Sequence, residues 1–293
     1  MTDIADIKSI AFRHAGQPAT ALPRLHIYQI DHATPLGALV YDPIVCLVLQ
    51  GTKRTIIGNR VLEYTAGHSM IVAAEVAAMG QVCEASTDEP YLALNLFIDP
   101  AVIAALILEM SGMPEPPTDI GFGVSKAGPQ LLDAWARLIG LLDRPEEIAV
   151  MAHHLEHELM FRLLMGPQGA LLRQIASSNG RLAHIRRAMS WIREHYAEHL
   201  SVDAMATVAG MSVSVFHRRF KAVTGQSPLQ YQKHIRLHEA RRRLVSDKAE
   251  AAAVGFAVGY ESASQFSREY KRLFGAPPRQ DADTIQTVTE TGL

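Results

Sequence analysis

Ser201–Ser227 reads SVDAMATVAGMSVSVFHRRFKAVTGQS. Its first half is a short helix pattern, with apolar residues at Val202, Met205, Ala206 and Ala209. Gly210 ends it, because glycine tolerates the left-handed backbone angles of a helix stop. Ser212 then stands where a hydroxyl can cap a new helix. That second helix carries Phe216, Phe220 and Val223 on one face, the i, i+4, i+7 spacing of an amphipathic helix. At about 100° per residue, Ser214, His217, Arg218 and Lys221 fall on the opposite face. A short helix, a tight turn containing glycine and a second helix make a helix-turn-helix, whose second helix lies in the DNA major groove. Polar residues on an outer face also suit an ordinary surface helix, so one copy decides little.

A second copy decides more. Glu261–Pro278 reads ESASQFSREYKRLFGAPP, and Phe266 stands 50 positions after Phe216. At the same offset Ser212 pairs with Ser262, Ser214 with Ser264, Phe220 with Tyr270, Lys221 with Lys271, Gly225 with Gly275 and Pro228 with Pro278. The turn before it recurs as Val258-Gly259-Tyr260 against Val208-Ala209-Gly210. An internal repeat means one supersecondary unit used twice. Around Phe266 the outward residues are Ser264, Ser267, Arg268 and Lys271. Between the copies, Leu229–Val245 has no internal Gly or Pro and carries Arg236, Arg241, Arg242 and Arg243, which predicts one long helix.

From about Arg186 to Ala282 the chain resembles the paired helix-turn-helix domain of AraC/XylS-type transcriptional regulators. The more specific part is Val258-Gly259-Tyr260-Glu261-Ser262, Gln265-Phe266-Ser267-Arg268 and Lys271-Arg272-Leu273-Phe274-Gly275-Ala276-Pro277-Pro278. The resemblance implies two recognition helices inserted into successive major grooves of double-stranded DNA, roughly 34 Å apart. Rigid spacing is then required, which a packed helix supplies and a flexible linker does not.

The formal charge of −2 hides an asymmetry. Arg181–Arg279 holds 17 Lys/Arg against 8 Asp/Glu, a balance of +9, while residues 1–180 hold 11 against 19, a balance of −8. A basic segment joined to an acidic one fits a polyanion-binding domain attached to a part that does not touch DNA. The two cysteines make no disulfide framework. The first residues show no basic start followed by an apolar core, so no secretion signal is expected, and no apolar run approaches the roughly 20 residues of a membrane span. A cytoplasmic protein without a membrane partner is expected.

Ile4, Ile7, Ile10 and Ala11 suggest one short helix ending near Gly16. From Leu22 to Ile98 the pattern is β-rich. Strands are predicted at Leu25–Ile30, Ile44–Leu49, Lys53–Ile57, Arg60–Tyr64, Ser69–Ala73, Gln81–Ala85 and Tyr91–Phe97, with Gly58-Asn59 as a two-residue hairpin turn. Many short strands point to a closed sandwich or barrel. Tyr41-Asp42-Pro43, Leu47 through Lys53, Tyr64, Ala66-Gly67 and Glu89 through Leu94 resemble the N-terminal domain of one branch of the same regulators. That resemblance implies a cupin-like, jelly-roll-like β-barrel that senses a small molecule or dimerises. Helices are predicted at Ala101–Ser111, Gln130–Leu142, Glu146–Met165, Leu171–Ala176 and Ile185–His199, with a loop over Met113–Val124.

The expected organisation is a cupin-like domain with trailing helices over 1–176, a linker over 177–183 and a double helix-turn-helix domain over 184–282. A disordered tail is expected over 283–293.

Four constellations carry two readings each. His26, His32 and His68 are scattered and lack the clustered ligands of a catalytic cupin, so neither a metal nor a cofactor is expected. His153 and His157 stand one helical turn apart, but not in the order of a zinc protease. A solvated or interface helix is the alternative. Cys46 and Cys83 form a redox- or electrophile-sensing pair, or are two small core residues. Arg218 and Arg268 read a base or hold phosphate. The expected function is sequence-specific transcription regulation by a homodimer, with an effector, and with RNA polymerase as a partner if it activates. The rival readings are a cupin-type enzyme and an architectural DNA-binding protein without a sensor.

Overall fold

A computed structural model of the chain describes residues 3–16, 19–110, 121–176, 181–247 and 250–290. It divides into two compact units, Met1–Ala183 with Ala222–Gly225, and His184–Lys221 with Gln226–Leu293.

The first unit opens with helix α1 (Ile4–His14), which buries Ile7 and Ala11. Nine strands follow among the described residues: β1 (Leu25–Ile30), β2 (Gly37–Tyr41), β3 (Ile44–Gln50), β4 (Thr52–Ile57), β5 (Arg60–Thr65), β6 (His68–Val72), β7 (Val76–Glu84), β8 (Tyr91–Phe97) and β9 (Phe122–Lys126). They form two antiparallel sheets, ordered β1-β8-β3-β6-β9 and β2-β7-β4-β5. One core cluster draws Ile44, Cys46, Val48, Met70 and Val72 from the first sheet and Tyr41, Ile57, Tyr64, Val76 and Val82 from the second. This is the antiparallel, barrel-like architecture expected of the first half.

The strand β3 explains its own sequence. Ile44, Cys46 and Val48 enter that cluster, while Val45, Leu47 and Leu49 are also buried, with α1 packed against the strand. A strand covered on both faces reads as an unbroken apolar run. Gly58 takes the positive φ of +61° that the β4–β5 turn requires.

Helices α2 (Pro100–Glu109), α3 (Pro129–Ile139), α4 (Pro145–Met165) and α5 (Gly169–Ala176) complete the unit. Asp99 caps α2 by accepting from the Ala101 N–H. It also pairs with Arg24, whose other guanidinium nitrogen grips buried Glu156 of α4. Arg24 holds a φ of +64°, a conformation rare outside glycine.

The second unit is helical: α6 (Arg181–Glu194), α7 (Val202–Val208), α8 (Val213–Thr224), α9 (Pro228–Asp247), α10 (Ala251–Ala257), α11 (Ala263–Phe274) and α12 (Pro278–Glu290). Ser201 caps α7 through the Ala204 N–H, and Ser262 caps α11 through the Gln265 N–H. Phe216 packs edge-on against Phe220, and Phe220 against Tyr231 of α9. The second copy repeats this with Phe266 and Tyr270, packed with Leu237, Ala240 and Leu244 of α9 in one cluster.

Several boundaries differ from expectation. The strands β2 and β9 were not foreseen, and β9 occupies part of the expected loop. Residues 113–120 of that loop and the 177–180 part of the expected linker lie outside the described residues. Arg181–Ala183 are already helical. The chain after Ala282, expected to be disordered, continues α12 to Glu290, and residues 291–293 lie outside the description. Its first turn is anchored: buried Asp281 accepts from Arg241 of α9 and from the Tyr270 hydroxyl. An anchored turn overcomes the nucleation that limits isolated helices, so polar residues can extend it.

Candidate functional site

The two copies align in a way that one sequence offset does not capture. The helices α8 and α11 are 50 positions apart and have the same length. The helices before them, α7 and α10, are 49 apart and also equal. The stop bonds agree, with the Met211 N–H donating to the Ala206 carbonyl and the Tyr260 N–H to the Gly255 carbonyl, each at 3.0 Å. The turn of the second copy is therefore one residue longer. The upstream pairing at 50 is corrected to Ala209 with Val258 and Gly210 with Gly259. Both glycines have positive φ.

On α8, Ser214, His217, Arg218 and Lys221 are exposed; on α11, Ser264, Arg268 and Lys271 are exposed and Ser267 is half-buried. Ser264 shares a 2.9 Å hydrogen bond with the capping Ser262 hydroxyl. Among the described residues His217, Arg218, Lys221, Arg268 and Lys271 make no hydrogen bond or ion pair. Exposed cations without internal partners remain available to phosphates and base edges.

The arginines of α9 behave differently. Arg241 holds Asp281; Arg242 and Arg243 hold Glu239, and Arg243 also reaches the Tyr196 hydroxyl. That grip holds the Glu239 carboxyl down at about 2. Arg236 spans the two copies. It donates to the Tyr196 carbonyl at 2.6 Å, to Glu198 at 2.8 Å and to Gly259 at 2.8 Å. Gln232 adds bonds to Tyr196 and Glu198. These bonds tie the chain before α7 to the turn before α11. Beside them lies a groove of about 540 Å³ whose Lys233 and Glu269 pair with each other at 3.0 Å.

Sequence reasoning passed over Arg272 and Arg279, two further exposed cations at the end of α11 and the start of α12. Their place on the helices, beside the recurring Gly-x-x-Pro stop, was the available signal.

In the first unit, β4 alternates so that Lys53, Thr55 and Ile57 share one face, and Thr55 and Ile57 are fully buried. Thr55 bridges the Tyr41 and Tyr64 hydroxyls at 3.2 and 2.9 Å. The Lys53 ammonium lies 5.5 and 6.0 Å from the Tyr41 and Tyr91 ring centres, within cation–π range. It makes no ion pair among the described residues. Burial opposes its charge, but attraction to the ionised forms of Tyr41 and Cys46 outweighs that, and its pKa is raised. Burial pushes the Cys46 thiol up to about 11, so it is protonated at neutral pH.

Cys83 is half-buried. The pairing of β7 with β4 steps from Glu84 to Val82, skipping Cys83, which lies near Arg54 and outside the core cluster that holds Cys46. The structure does not bring the two thiols together. Nor does it bring together His26, His32 and His68: His26 stacks near Tyr28 and Phe97, His32 pairs with Asp31, and His68 reaches the Thr65 carbonyl. His153 and His157 have ring centres 6.0 Å apart, with Glu109 3.8 Å from His157. Among the described residues no group of three or more His, Cys, Asp or Glu could hold a metal ion. No described helix is long and apolar enough to cross a membrane.

Comparison with known proteins agrees with this geometry. Residues 205–283 match a helix-turn-helix domain family. The transcriptional activator RhaS of Escherichia coli is 26% identical over 145 residues, covering 49% of this chain and 51% of RhaS. RhaS of Salmonella schwarzengrund is 28% identical over 144 residues, with coverages of 49% and 51%. The chain spans about half the length of these curated relatives. Among solved structures, unsaturated fatty acid bound ToxT from Vibrio cholerae superposes with a TM-score of 0.59 at 9% identity, covering 87% of this chain and 93% of ToxT, a likeness of fold. Residues 21–171 match the N-terminal family of AraC-type transcriptional regulators, so the chain belongs to the AraC-type regulators.

Proposed function

We propose that the protein is a sequence-specific DNA-binding transcriptional regulator, with DNA gripped by α8 and α11 and a small-molecule effector received by the β domain. The observation that carries the reading is the pair of repeated helices with exposed, internally unpartnered Arg218, Lys221, Arg268 and Lys271, braced to each other through Arg236. The basic balance of the second half adds the long-range attraction that a polyanion needs. Ser214, His217, Ser264 and Ser267 are the hydrogen-bonding groups placed to meet base edges. Arg272 and Arg279 reach phosphate. A dimer would present four such helices to an operator with two half-sites.

Effector binding rests on the interior of the β domain. The ammonium of Lys53 and the hydroxyls of Tyr41, Thr55 and Tyr64 form a polar island in an apolar core. That island suits a small molecule with a negatively charged or strongly polar end. ToxT, which shares the fold, carries an unsaturated fatty acid in one structure. Cys46, buried and protonated, is a poor first responder to oxidants.

Selection of bound duplexes from a random pool, at two salt concentrations, tests the DNA reading. Enrichment of a motif with two parts about one helical turn apart is expected. Arg268→Ala should then relax one base position by about 1–3 kcal/mol if it reads a base. If it holds phosphate, binding weakens evenly and the salt slope shrinks. Absence of any enriched motif overturns the reading.

A further inference from the structure

The turn between α4 and α5 covers the outer face of β6 and β9 and leaves a cavity of about 140 Å³. Its lining includes Ser69, Ser125, Lys126, Gln130, Arg162 and Gln168, and no Asp or Glu. Ser69 and Ser125 face each other across the β6–β9 ladder. Their position follows from alternation, since Met70 and Val72 of β6 point into the barrel core and Ser69 points the other way.

Two polar atoms of this lining are buried without a partner. The Ser69 hydroxyl is one, on a residue only 1% exposed. The Nε of Arg162 is the other. Buried polar groups are nearly always hydrogen-bonded, so each orphan marks a place where something else belongs. The charge of Arg162 is also only loosely met: Glu158 stands 3.5 Å away but is held more closely by Arg137, at 2.7 Å. Lys126 is exposed and makes no ion pair among the described residues. Water alone would satisfy the hydroxyl, but it would leave Lys126 without a counter-charge and Arg162 with only the shared Glu158. The volume is enough for one compact charged group.

We propose that this cavity binds a small oxyanion, a carboxylate or a phosphoryl group, held by the Ser69 hydroxyl, the Arg162 guanidinium and the Lys126 ammonium. A planar or tetrahedral oxyanion matches the fork of an arginine and accepts from both serines. Gln168 already fixes the turn by donating to the Ser69 carbonyl at 3.3 Å, so the pocket wall is formed before the anion arrives. Once seated, the anion would tie edge strand β9 to the α4–α5 turn, whether or not a second molecule occupies the barrel interior around Lys53.

Titration calorimetry and thermal unfolding of the full chain test the site, with sodium phosphate, sulfate and acetate as probes and sodium chloride as the ionic-strength control. Saturable one-to-one binding and a midpoint that rises with probe concentration, but not with chloride, are expected. The double variant Ser69→Ala, Lys126→Ala should weaken binding by about tenfold, and Arg162→Met should remove it. Lys53→Met should leave it unchanged, which separates this pocket from the barrel interior. Binding of acetate alone assigns the source to small organic acids, and binding of phosphate and sulfate assigns it to phosphoryl-type groups. A chloride response equal to the others, or a double variant that binds like the parent, overturns the site. DNA binding is not the readout, so a failed operator selection leaves this result interpretable.

Discussion

His238 sits on α9 with its ring 5.3 Å from that of Phe274, and burial holds its pKa down at about 4, with His234 and Arg241 adding repulsion. The folded state therefore resists a proton that the unfolded chain accepts near 6.5. Stability contributed by neutral His238 is fully present above about pH 6.5 and is lost as pH falls toward 4. Unfolding measured across that window should show a decline of up to about 3 kcal/mol, and His238→Gln should flatten it. A variant that declines as steeply as the parent would place the titration elsewhere. Cys46 offers a second residue-scale check. Its thiol should resist alkylation at pH 7.5 while half-buried Cys83 reacts, and reversal of that order would contradict the burial that holds Cys46 protonated.

At the scale of elements, Arg236 of α9 joins three carbonyls of the chain after α6 to that of Gly259. Lysine has the charge but not the fork. Arg236→Lys should lower stability by about 1–3 kcal/mol and weaken binding to a two-part operator more than to either half alone. Equal weakening on both would show that the brace does not set spacing. The repeat itself was legible because the packing residues Phe216 and Phe266 and the stops Gly225 and Gly275 are punctuation that a sequence displays. The extra turn residue was not legible, since Ala209, Gly210, Val258 and Gly259 can be paired at either offset. Strands β2 and β9 escaped notice for a related reason. Both lie at sheet edges, both contain glycine, and neither strand alternates clearly between buried and exposed residues. The continuous run of β3 stood out because both of its faces are covered.

For the whole molecule, composition showed the division most plainly: an acidic first half and a basic second half. What composition could not show is which basic residues remain unengaged. Arg236, Arg241, Arg242 and Arg243 add to the basic balance, and tertiary structure engages them with carbonyls, carboxylates and a phenol. Among the described residues the exposed cations of α8 and α11, with Arg279 at the start of α12, remain for a polyanion. Neutralising Lys221 and Lys271 together should therefore cut the salt dependence of DNA binding by about two counterions, measured as the slope of log affinity against log salt. Neutralising Arg242 should leave the slope unchanged.

Gly259 has a φ of +92°, and a Cβ built there would overlap the backbone carbonyl of Ala197. A side chain of any size at that point is a shim slipped between the jaws of a caliper. Gly259→Ala should leave each jaw intact yet open the gauge, so that the molecule still touches short oligonucleotides but no longer matches the pitch of the double helix.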